Sequence, residues 1–188
     1  MTVIIQSKFI GDFKLGDNIN HNLDILTLLY KQYNDGDETQ KSLLCKPITL
    51  LLVSIVDAVL YDLHWRVKTF TKEGVTNILK SSIEYIRTLK KMDTLEKYIT
   101  SAEKHSLLGP AGSPIYADLD TLRRLRNRIH IQNTKKDFEP DDVIAFNTAR
   151  KLLAEKAVEN TLRTMSEKYA RDTNFVNDFT LPWDAHFP

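Results

Sequence analysis

Cysteine is almost missing from this 188-residue chain, where Cys45 stands alone. That excludes an intramolecular disulfide framework and fits a reducing compartment, with the cytoplasm as the expected location. A lone thiol beside apolar residues reads as packing and not as a nucleophile. An excess of one charge is also missing: 26 Lys and Arg face 25 Asp and Glu, so any contact with nucleic acid has to be local. The six glycines include no phosphate cradle, because Gly109 and Gly112 lack the spacing and the following lysine of such a loop. The segment Met1 to Ile10, with Gln6, Ser7 and Lys8, leads into no signal-type apolar run. The strongest membrane candidate, Ile48 to Leu63, is sixteen residues long and contains Ser54, Asp57 and Asp62. It falls short of the roughly twenty apolar residues of a bilayer span, so it reads as a core helix and no membrane is expected. The five histidines, His21, His64, His105, His130 and His186, show no ligand spacing, so neither a metal site nor another cofactor is expected.

What is present is helical periodicity. A chain of this length is one ordinary domain, 1–188, burying roughly 70% of its unfolded surface. Residues 1–20 show no sustained period and predict an extended arm or a short hairpin. A first helix follows from Asn20 through Leu23, Leu26 and Tyr33, ending in the turn Asn34-Asp-Gly-Asp37. A second, apolar on nearly all sides, runs from Lys46 to Phe70 with Pro47 in its first turn and belongs in the middle of a bundle. Asp57 is its odd residue, since a buried carboxylate is costly unless paired. It either orients an arginine of the 123–130 segment or faces solvent. His64 reads as ordinary packing.

Thr76 is a candidate cap for a third helix through Met92, and residues 93–108 either continue it or follow a kink. Gly109-Pro-Ala-Gly-Ser-Pro114 breaks the pattern. Beyond the next helix, Pro140, Asp141 and Asp142 predict the start of a long closing helix to Tyr169. The tail carries Phe175, Phe179, Trp183 and Phe187. It reads as irregular and packed on its own bundle or on a second copy.

The most informative stretch is Leu119-Asp-Thr-Leu-Arg-Arg-Leu-Arg-Asn-Arg-Ile-His-Ile131, within a helix expected from Ile115 to Ile131. At about 100° per residue, Leu119, Leu122, Leu125 and Ile129 form its core stripe. Arg126, His130, Arg123 and Asn127 fall at about 40°, 80°, 100° and 140° from Leu122, on one shoulder, whereas Arg124 and Arg128 lie at about 200° and 240°, toward water. A histidine exchanges protons near neutral pH and an arginine holds an anion through a planar fork, a pairing suited to phosphodiester chemistry. A helix C-terminus near His130 favours its imidazolium form.

Arg-Leu-Arg-Asn-Arg-Ile-His, near the end of a helix in a small all-helical protein, resembles the signature of HEPN domains, where an arginine, often followed by a polar residue, precedes a histidine by a spacer of usually four to six residues. Arg126 with Asn127 has the polar follower and a spacer of three, while Arg123 has a spacer of six and shares the face. The resemblance implies an all-α fold: a HEPN-like bundle of four to five helices over 46–169, with an additional N-terminal segment and an aromatic C-terminal tail. It further implies a homodimer formed through the motif helix and a metal-independent endoribonuclease, of the toxin or defence-effector kind. The RNA's own 2'-hydroxyl would be the nucleophile. His130 would be the general acid or base, Arg126 or Arg123 would hold the scissile phosphate, and Asn127 would position the 2'-hydroxyl or backbone, with Asp57 in support. An antitoxin or other protein partner would accompany a toxin. The alternative is a non-catalytic HEPN-like module that binds RNA, a nucleotide or a protein, and a third reading makes the motif a solvated helix face.

Overall fold

The computed structural model describes residues 2–69, 75–89, 91–129 and 141–187. Seven α-helices and one antiparallel strand pair make up the described architecture: β1 (Thr2–Ile5), α1 (Phe13–Asp35), α2 (Glu38–Thr69), α3 (Lys80–Thr88), α4 (Leu95–Lys104), α5 (Pro114–Arg126), α6 (Asp142–Ala145), α7 (Thr148–Lys168) and β2 (Phe179–Asp184). The fold is therefore mostly helical, as the periodicity predicts. Helix α2 runs through the centre and is packed by α1, α3, α4, α5, α6 and α7. Ile48, Leu52, Val59, Leu60 and Leu63 are fully inaccessible along it.

Local chemistry shifts several boundaries. The first helix begins at Phe13 because the Asp12 carboxylate accepts the Leu15 N–H at 3.0 Å, a cap that the reading from Asn20 overlooks. Helix α2 opens with a reciprocal capping box: Asp37 accepts from the Gln40 backbone N–H and Gln40 Oε1 accepts from the Asp37 N–H, both at 2.9 Å. Pro47 thus sits inside the helix and not in its first turn. The carbonyl it leaves unbonded belongs to Leu43, a residue exposed to water. At 32 residues α2 is long and apolar enough to cross a membrane by length and composition, so the sixteen-residue measure is too short. About half of its most apolar window is buried within the fold.

The third helix is shorter than expected, because α3 starts at Lys80 without a side-chain cap and Thr76 plays no part in it. The stretch after it is a separate helix: Thr94 caps α4 by accepting the Lys97 N–H at 3.4 Å. The closing helix is split in the same manner. Asp141 caps the single turn α6, the chain breaks at Phe146, and Asn147 caps α7 through the Arg150 N–H at 3.0 Å.

The two ends of the chain meet. β1 pairs with β2 in register Val3 with Leu181 and Ile5 with Phe179, and the register slips beyond Val3, where Pro182 lacks a ladder donor. The tail is thus irregular over 170–178, as expected, but a strand from Phe179 to Asp184, and it packs on its own bundle: Phe179, Leu181 and Trp183 are buried on alternate positions. Gly16 permits the crossing, since a Cβ there would lie 2.5 Å from Val176 Cγ1. Strands, α1 and α7 share one hydrophobic core running from Val3 to Trp183.

Candidate functional site

Helix α5 starts with Pro114 in its first turn and presents Leu119, Leu122 and Leu125 to the core. It ends at Arg126, sooner than expected, and Asn127–Ile129 form a 3-10 turn. His130 lies outside the described residues. The tightened turn matters for the arginines, since a regular 100° step no longer applies beyond residue 126. Arg128, expected toward water, is instead buried and donates from Nε to Asp142 Oδ1 at 3.2 Å. Lys46 binds the other oxygen of that carboxylate.

The expected shoulder is divided between neighbours. Arg123 turns to Asp120, at 2.7 Å from Nη2, and to Glu96 of α4, at 3.7 Å. Arg124 also binds Asp120, at 2.6 Å, from a more exposed position. Both guanidiniums hold the Asp120 carboxyl below its ordinary range, against the opposing effect of burial. Asn127 caps the helix C-terminus through its backbone N–H and is exposed.

Arg126 is the arginine that reaches α2. Its Nη2 lies 2.9 Å from Asp57 Oδ2, with the guanidinium side chain 39% exposed. Of the two alternatives for Asp57, the structure shows the arginine partner. Burial pushes the Asp57 carboxyl up and the Arg126 charge opposes it. Asp57 also lines an open groove of about 420 Å³ with Ser54, Ala58, Tyr61, Met92, Asp93 and Tyr98. Arg126 therefore meets a carboxylate that lines this groove.

His64 sits deeper in the same region. It is buried against Tyr98, with ring centroids 5.2 Å apart, and its Nδ1 lies 2.7 Å from the Leu60 carbonyl, which fits an Nδ1–H donor. Its Nε2 has no hydrogen-bond partner among the described residues. Burial lowers its pKa from 6.5 to about 4, helped by the charge of His105 and opposed by the Leu60 carbonyl. A depressed folded pKa means that the stabilisation is complete above pH 6.5 and is lost as pH falls toward 4. The expected loss from this group is about 3 kcal/mol. Chemical denaturation of wild type and His64→Phe at matched pH checks it. The difference between the two should shrink across that window, since the raised carboxyls Asp57 and Asp62 are common to both; a constant difference would remove His64 as the cause.

A second constellation escaped the sequence reading. Glu155 of α7, nearly inaccessible, accepts from Tyr30 Oη at 2.5 Å, lies 2.5 Å from Lys151 Nζ and 2.8 Å from His186 Nε2. One turn on, fully buried Glu159 takes the Arg163 Nε at 2.9 Å, the His186 backbone N–H at 3.0 Å and Trp183 Nε1 at 3.4 Å. Burial and Glu155 together push the Tyr30 phenol far above its ordinary value. Lysine, arginine and glutamate at i, i+4 ordinarily mark a solvated face. The usable signal is that Ala154, Ala157 and Val158 surround these residues on the inner side of α7. The constellation anchors the tail, because His186 and Trp183 are held by it.

Comparison with protein-family models, with curated proteins and with solved structures found no match for this chain. The class that fold and site define is therefore a mostly helical bundle with an arginine-bearing helix end beside a groove.

Proposed function

We propose that this chain is a metal-independent endoribonuclease of the HEPN kind. The observation that carries the reading is the placement of Arg126, held by Asp57 at 2.9 Å beside an open groove, four positions before His130 in the sequence. In this reading the RNA 2'-hydroxyl attacks the adjacent phosphorus and the P–O5' bond breaks, leaving a 2',3'-cyclic phosphate and a 5'-hydroxyl, while His130 takes the proton from the 2'-oxygen or delivers one to the departing 5'-oxygen. Arg126 neutralises charge growing on the phosphoryl oxygens, and Asn127 positions the backbone. Arg123 is the alternative arginine, and its release from Asp120 and Glu96 would be needed first. Two copies would meet through α5 to frame the cleft, in the cytoplasm, with an antitoxin or other protein partner where the activity has to be restrained.

A second reading, a non-catalytic HEPN-like module for RNA, a nucleotide or a protein, is favoured by one feature. Arg123, Arg124, Arg126 and Arg128 all rest on carboxylates of this chain. The test is cleavage of labelled single-stranded RNA in EDTA. Wild type should cut and leave a 2',3'-cyclic phosphate, and His130→Ala should be slower by about 10²- to 10⁴-fold, the range for a lost general acid or base. Cutting by His130→Ala at the wild-type rate removes that residue's role, and inert wild type moves the conclusion to the binding module.

A further inference from the structure

Helix α2 is apolar where it crosses the core, yet one of its faces is left uncovered and is chemically unlike the rest. Asp57, Tyr61, Trp65 and Lys68 follow at spacings of four, four and three, a single stripe about 16 Å long at 1.5 Å per residue. Tyr61 and Trp65 are 42% and 46% exposed. Their rings are nearly parallel, 17° apart with centroids at 6.1 Å, and present one extended aromatic surface. Tyr98 stands edge-on to Tyr61 at 72° and 6.3 Å, held there by its hydroxyl donating to the Met92 carbonyl at 2.9 Å. The groove beside Asp57 continues past these rings into a second, of about 230 Å³, lined also by His64, Lys68 and Lys91.

Its charges are arranged unevenly. The two carboxylates are matched, Asp57 by Arg126 at 2.9 Å and Asp93 by Lys97 at 2.6 Å. Lys68 and Lys91 are exposed at the far end. Lys68 donates to the Leu89 carbonyl at 3.0 Å, which leaves further ammonium hydrogens for an outside acceptor. One end of the stripe thus carries lysines, the middle flat aromatic faces and the other end the arginine of the motif helix. The exposed side chains of the stripe itself are aromatic and cationic, whereas the exposed aliphatic ones, such as Leu28, Leu43, Leu79 and Val143, are not part of it.

We propose that this groove binds the unpaired bases of single-stranded RNA, stacking them on Tyr61 and Trp65 with Lys68 and Lys91 on the backbone, and leads the strand to Arg126. The assignment rests on the RNA reading above and adds the part of the surface that holds the strand. Aromatic platforms with cationic flanks take single strands whatever the sequence, because every base has a stacking face. Bases paired within a duplex are not free to enter.

The probe is a fluorescein-labelled, 2'-O-methyl RNA of mixed sequence, which lacks the nucleophile and stays intact. Binding is read by anisotropy and by quenching of tryptophan emission, in which buried Trp183 supplies a constant background. By anisotropy, Trp65→Ala should weaken binding roughly tenfold to a hundredfold and Trp65→Phe should stay close to wild type; quenching is read on the wild type alone, and annealing a complementary strand should compete the protein off. Circular dichroism should show Trp65→Ala folded, as expected for an exposed position. Binding by Trp65→Ala within about twofold of wild type overturns the proposal, as does no binding by wild type. A change in sedimentation with unchanged RNA affinity overturns it too, by making the face a protein contact. Binding that needs Trp65 in a protein that cuts no RNA keeps the groove and removes the nuclease; cutting with Trp65-independent binding does the reverse.

Discussion

Glu155→Ala should cost about 3–5 kcal/mol of folding stability, the range for breaking one side of a buried ion pair. The reason is what the carboxylate leaves behind. Lys151 is buried and lies over the Tyr33 ring at 4.6 Å and the Tyr30 ring at 5.2 Å, surroundings that attract a cation but do not replace a counter-charge. The Tyr30 hydroxyl loses its acceptor at the same time, and the His186 ring loses its tie to α7, leaving only the backbone N–H on Glu159. Urea denaturation followed by far-UV circular dichroism measures the loss. Trp183 fluorescence in the native baseline reports whether the tail has come away. The combination Tyr30→Phe, Lys151→Met and Glu155→Met should recover most of the stability, because it removes charge and hydroxyl together and keeps the volume apolar. A loss under about 1 kcal/mol in Glu155→Ala would mean that the pair is effectively solvated, and the tail anchor would then have to be sought in its apolar side chains alone.

Asp62→Ala carries a loss of similar size, about 3–5 kcal/mol, by the same physics at the other end of the bundle. Asp62 and Arg66 are both buried on α2, with Arg66 Nε 3.0 Å from Asp62 Oδ2. The carboxylate also takes the Gly11 N–H, at 3.1 and 3.0 Å to its two oxygens, which fixes the loop between β1 and α1. A side chain at Gly11 has no room, since a Cβ would fall 2.4 Å from Arg66 Cδ. Burial raises the Asp62 carboxyl and lowers the Arg66 guanidinium, while each partner opposes the effect on the other. Without Asp62 the Arg66 charge stays buried with nothing of opposite sign against it on α2. Denaturation of Asp62→Ala, Arg66→Met and the double variant forms a thermodynamic cycle. The double variant should lose less than Asp62→Ala alone; additive losses would show that the two side chains act separately.

The helices were legible because burial of an apolar stripe repeats every three to four residues, and the pattern survives in the order of residues alone. Leu50 to Leu63 had to be central, since a helix apolar on nearly every side has no stable place at the surface. The break at Gly109 to Pro114 was equally plain, and Gly109 and Gly112 do adopt positive φ. Helix starts were less plain. The Asp37 and Gln40 capping box was written in the sequence, but Pro47 offered a competing start signal, and a proline within a helix is tolerable when the carbonyl it frees reaches water.

For the site, the sequence by itself determined that an arginine-rich helix end with Asn127 exists and that Asp57 needs a partner or water. It left open which arginine Asp57 meets, because residues 57 and 126 are brought together only by the packing of α2 against α5. The tertiary structure decided that Arg126 faces Asp57, that Arg123 belongs to Asp120 and Glu96, and that Arg128 turns inward once the helix tightens into a 3-10 turn. It also decided the strand pairing of the two chain ends, the buried Glu155 cluster and the uncovered Tyr61–Trp65 face. The physical reason is common to all of them. Periodicity records which side of an element is apolar, whereas the partner across the gap is set by long-range geometry, and a charge or a ring at i, i+4 looks the same on paper whether it meets water, another helix or the far end of the chain.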